Sequence, residues 1–146
     1  MNLQLGDISH IIQLAIAPVF LLSGIGPQLI VLTNRLARII DRSRDLEERE
    51  PAAPEQHEVL AELGILYRRA HLINYAITLS TACALLICLV VAALFIGDAL
   101  GFELDRLIAA MFVLAMLALI GSYSFLLREI LIATSALAVR RVAIYR

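Results

Sequence analysis

From Tyr75 to Ile96 the chain reads YAITLSTACALLICLVVAALFI, 22 residues without one charged side chain. As an α-helix rising about 1.5 Å per residue this run is about 33 Å long, which matches a hydrocarbon core about 30 Å thick. The flanking sequence repeats the theme. Residues 11–32 and 107–127 are charge-free runs of 22 and 21 residues. Together they predict an all-α integral membrane protein with three transmembrane helices, at about 11–32, 75–96 and 107–127.

Composition agrees and closes several doors. The 146 residues are 61% hydrophobic, against roughly 45–50% in soluble domains, so the surplus needs lipid to cover it. Three spans leave no room for a separate catalytic domain, and residues 1–146 read as a single membrane domain without repeats or low-complexity linkers. All twelve basic residues are Arg, which excludes Schiff-base lysine chemistry and a P-loop lysine. A net charge of −1, with acids interleaved among the arginines, argues against nucleic acid or a nucleotide as partner.

No metal or cofactor site is expected. Cys83 and Cys88 are five residues apart in an apolar run, about 140° round a helix, which suits packing better than shared ligation. His10, His57 and His71 each lack a second His or Cys at ligand spacing. No acid–base pair stands out either, so the expectation is a protein that is not an enzyme, without catalytic residues. Residues 2–9 carry Asp7, no Lys or Arg, and no A-x-A site follows the first apolar run. That segment reads as a retained span rather than a cleaved signal.

Arginine also sets the expected orientation. Residues 33–74 and 128–146 hold eleven Arg, whereas 1–10 and 97–106 hold only Arg106. The positive-inside rule then places the carboxyl terminus in the cytoplasm and the amino terminus outside.

Helical periodicity continues beyond the lipid. Leu32, Leu36, Ile39, Ser43 and Leu46 recur at steps of four and three, and so do Val59, Leu63, Leu66, Ala70, Ile73 and Ile77 after the break at Pro51-Ala52-Ala53-Pro54. Residues 33–74 therefore read as a cytoplasmic, coiled-coil-like helical hairpin continuous with spans one and two. The apolar stretch 130–139 is too short to cross a bilayer before Arg140-Arg141. Residues 128–146 either extend span three, the more economical reading, or lie on the membrane surface.

Five features bear on function or packing. Ala76, Ser80, Ala84, Cys88 and Ala92 put a small residue at every fourth position of span two, a ridge that lets another helix approach closely. That helix belongs either to the same chain or to a second one. Pro18, Gly24, Gly26 and Pro27 interrupt span one; they make either a bend that neighbouring helices accommodate or a pore-lining segment. Arg35, Arg38, Arg42 and Arg49 form a stripe beside the first seam, read as a solvated face balanced by Asp41, Asp45 and Glu48, or as positive rings below a pore. Arg68, Arg69 and His71 precede span two as ordinary headgroup-level anchors. Asn34 and Asn74 are placed to bond across the hairpin.

The segments Asn34-Arg35-Leu36-Ala37-Arg38-Ile39-Ile40-Asp41-Arg42, Arg68-Arg69-Ala70-His71-Leu72-Ile73-Asn74-Tyr75 and Phe125-Leu126-Leu127-Arg128-Glu129-Ile130 resemble an uncharacterised bacterial family of small three-span inner-membrane proteins. The resemblance implies a multi-pass protein of the bacterial inner membrane over nearly the whole chain, and carries no activity or ligand residues. The expectation is a non-enzymatic helix bundle in the lipid bilayer, acting through self-assembly or a membrane-protein partner. The alternative is a homo-oligomeric ion channel lined by span one.

Overall fold

The computed structural model describes the backbone of residues 5–48, 56–101 and 104–144, and the side chains of all of these but 5–8, 11 and 135–144. Three helices account for them: α1, Leu5–Glu47; α2, Gln56–Leu100; and α3, Asp105–Ile144. No strand occurs among the described residues. At 43, 45 and 40 residues each helix is about twice what a bilayer requires.

Continuity follows from what each sequence lacks. No Gly or Pro lies between Leu32 and Leu36 or between Ile73 and Ile77, so nothing ends the helix where the apolar run gives way to charge. Pro18 and Pro27 lie inside α1 without dividing it, because the backbone groups a proline frees can be satisfied locally in membrane helices. α3 carries the third apolar run and residues 128–144 as one helix. The break at Pro51–Pro54 and Arg49 lie outside the described residues.

α2 ends where Gly101 takes a φ of 67°, the left-handed conformation that favours glycine and closes a helix. Its N–H donates to the Asp98 carbonyl at 3.3 Å. Asp105 then opens α3 with an acid in the first turn, where the helix dipole favours negative charge.

The pattern of burial is the reverse of a soluble protein's. In the most apolar stretch of each helix only 22%, 22% and 17% is buried, while Phe20, Leu85 and Leu117 stand exposed. Three helices long and apolar enough to cross a membrane, with their apolar side chains turned outward, make a protein whose solvent is lipid.

The helices pack in two compact units. One, Met1–Leu29 with Leu79–Ile120, is centred on Ile25, Cys83, Ile87, Ala115 and Leu119. The other, Ile30–Thr78 with Gly121–Arg146, is centred on Leu32, Ile39, Leu46, Leu66, Ile73 and Ala76, with Leu36, Val59, Leu63, Ala70 and Ile77 packed against them. Apart from Ala76, which belongs to the small-residue ridge, these are the apolar positions of the two hairpin seams. Within the second unit the Ser122 hydroxyl donates to the Ala76 carbonyl at 2.8 Å, joining α3 to α2.

Candidate functional site

Along α3 the positions Ala115, Ser122 and Glu129 recur every seventh residue, and all are buried. Two turns of helix return a side chain to nearly the same face. The face that begins with alanine therefore delivers a carboxylate into the packed interior, where Glu129 is 0% exposed. A carboxylate there is untenable alone, since taking an ion out of water costs several kcal/mol.

Two arginines answer it. Arg35 of α1 donates through Nη1 to Glu129 Oε2 at 2.5 Å. Arg69 of α2 donates through Nε and Nη2 to Glu129 Oε1, at 3.0 and 2.8 Å. Charge-assisted bonds of this kind are about twice as strong as neutral ones, and here they draw on all three helices. One face of this unit also stacks Tyr75 on Phe125, ring centroids 5.6 Å apart.

The hairpin carries a second set of cross-links. Arg42 Nε and Nη2 donate to Glu62 Oε1 at 3.1 and 2.9 Å. The Tyr67 hydroxyl donates to Glu47 Oε1 at 2.7 Å. That bond and the nearby charge of Glu47 push the Tyr67 phenol above its ordinary value of 10.0, because both favour the protonated form.

The arginine stripe thus divides. Arg35 and Arg42 take their partners from α3 and α2, Arg38 is exposed, and Arg49 lies outside the described residues. Asp41, Asp45 and Glu48, read as the counter-charges, are exposed and pair with none of the described arginines of the stripe. The reason is geometric: side chains flanking a packed seam reach the facing helix, where contact is drier than along their own. Arg69, read as a headgroup anchor, turns inward to Glu129, while Arg68 and His71 are exposed. Asn34 and Asn74 are both exposed, with no hydrogen bond between them. The polar tie at this level is the Arg35–Glu129–Arg69 cluster instead.

The small-residue ridge also divides. Ala76 and Ser80 are buried, Ala84 is half-buried, and Cys88 and Ala92 are exposed. Each step of four residues overshoots a turn by about 40°, so the ridge winds out of the interior. In span one Pro18 is buried while Gly24, Gly26 and Pro27 are exposed, so the four do not share one face. A Cβ added at Gly24 or Gly26 would meet nothing within 4 Å. Cys83 and Cys88 are free thiols, and among the described residues no three His, Cys, Asp or Glu could hold a metal together.

Glu129 was the residue that sequence reading passed over. It adjoins Arg128 just past the third apolar run and looks like the polar end of a span. The signal was the seven-residue step from Ala115 through Ser122.

Comparison with curated proteins and with solved structures finds no match in either. A family model does match, over residues 15–139, a range that takes in Arg35, Arg69 and Glu129. The chain therefore belongs to the DUF2721 family, proteins of unknown function.

Proposed function

We propose that this chain is a non-enzymatic, multi-pass protein of a bacterial inner membrane that works by assembling with copies of itself or with a second membrane protein. The observation that carries this reading is that small residues stand exposed on two of the membrane helices. Gly24 and Gly26 on α1 have open space where a side chain would stand, and Cys88 and Ala92 on α2 are exposed. In lipid, where helix association rests on close packing, small residues of this kind let backbones approach. The arginine count supports an external amino terminus and a cytoplasmic hairpin.

The test uses the protein's own thiols, since Cys88 is exposed and Cys83 buried. Mild oxidation in native membranes should give a covalent dimer that Cys88→Ser abolishes. Native mass spectrometry from lipid nanodiscs should give one defined homo-oligomer, which Gly26→Leu or Ala92→Leu shifts toward monomer. A monomer at every concentration, indifferent to both substitutions, overturns self-assembly. The channel alternative is the outcome in which purified protein conducts ions in planar bilayers.

A further inference from the structure

Glu129 is enclosed, yet the two arginines that share it are not. Their side chains keep 38% and 23% exposure for Arg35 and Arg69. Two guanidinium charges against one carboxylate leave one positive charge in excess. No other described carboxylate forms an ion pair with either arginine. Arg35 spends only an Nη1 hydrogen on Glu129, and Arg69 its Nε and Nη2, so both guanidiniums retain N–H groups for an external acceptor. Arg38, one turn beyond Arg35, is exposed and has no ion-pair partner among the described residues.

The location adds a second constraint. Arg35 follows Leu32, Glu129 follows Leu127, and Arg69 precedes Tyr75, the ends of the three charge-free runs. The excess charge therefore falls where hydrocarbon gives way to headgroups. Beside it the surface is apolar: Val31, one turn before Arg35 on the same side of α1, is 50% exposed. A cationic fork one turn from an exposed apolar side chain suits a ligand with a phosphate at one end and acyl chains at the other.

We propose that Arg35 and Arg69, held in place by Glu129 and assisted by Arg38, form a binding site for the phosphate of an anionic phospholipid. The guanidiniums are the donors to the phosphate oxygens, a match of planar fork to anion that lysine does not reproduce. Glu129 is a positioning residue: it fixes both forks from inside without touching the lipid. A zwitterionic lipid binds less well, because its own cation offsets the phosphate charge.

The full chain is tested by native mass spectrometry after exchange into mixtures of phosphatidylglycerol and phosphatidylcholine. The wild-type protein should retain phosphatidylglycerol preferentially. Arg35→Gln and Arg69→Gln should each weaken that retention about fivefold, the effect of one arginine at an anionic surface, and Arg106→Gln should leave it unchanged. Should a glutamine variant fail to fold, Arg35→Lys keeps a charge opposite Glu129 and loses the fork; it should weaken retention about twofold or more. Inorganic phosphate should not displace the lipid. Equal retention of the two lipids by wild type overturns the proposal, as does undiminished phosphatidylglycerol binding in a folded Arg35 variant. Full displacement by inorganic phosphate overturns it too, and assigns the cluster to a soluble anion.

Discussion

Glu129 and its two arginines are not interchangeable in what their removal leaves behind. Losing both Arg35 and Arg69 strands a carboxylate that is 0% exposed, and an uncompensated buried charge costs about 3–5 kcal/mol. Losing Glu129 leaves two partly exposed guanidiniums that water can reach. Thermal unfolding in nanodiscs should therefore rank the Arg35→Ala, Arg69→Ala double variant as clearly less stable than Glu129→Ala; the reverse order would remove Glu129 from the centre of the cluster. Tyr67 supplies a pH dependence. Its phenol is raised by Glu47, so the protonated folded form is favoured below the unfolded value of about 10 and that contribution disappears as pH climbs through the higher folded value. Phenolate absorbance should show one tyrosine titrating late, at a position that Glu47→Gln returns toward normal and Tyr67→Phe deletes.

Among the elements, the seams were readable and their partners were not. Leu32, Ile39 and Leu46, or Leu66 and Ile73, announce a buried face through spacing alone, and all five are buried. Arg42 gives no such notice of Glu62, because that pairing depends on the register of two helices joined across residues outside any periodic signal. Nearby Asp41 and Asp45 are closer in sequence and misdirect the eye. Glu129 was legible only by carrying the seven-residue step of α3 past the last apolar residue. Packing along these elements sets two stability expectations. Ile73, 0% exposed, should cost about 2–5 kcal/mol when cut to alanine. Ser122→Ala removes the bond to the Ala76 carbonyl, worth about 0.6 kcal/mol between membrane helices. Chemical denaturation at fixed lipid composition reads both, and an equal cost for the two would mean that burial is not what holds α2 in place.

For the molecule as a whole, exposure of the apolar side chains makes lipid the surrounding medium, and each of the three helices is long and apolar enough to cross it. The sequence made the crossings plain, since charge-free runs of 22 and 21 residues have few other uses. It left the work of the protein unstated, because no reacting group is gathered in those runs. The family assignment adds no activity. The most direct test of the account is single-cysteine labelling in a Cys83→Ala, Cys88→Ala background, with an impermeant maleimide applied to intact cells and again after permeabilisation. Cysteines placed at Ser9 and Asp105 should label from outside, and those at Arg44 and His57 only once the membrane is opened. Labelling of all four positions from the same side would contradict a three-span protein.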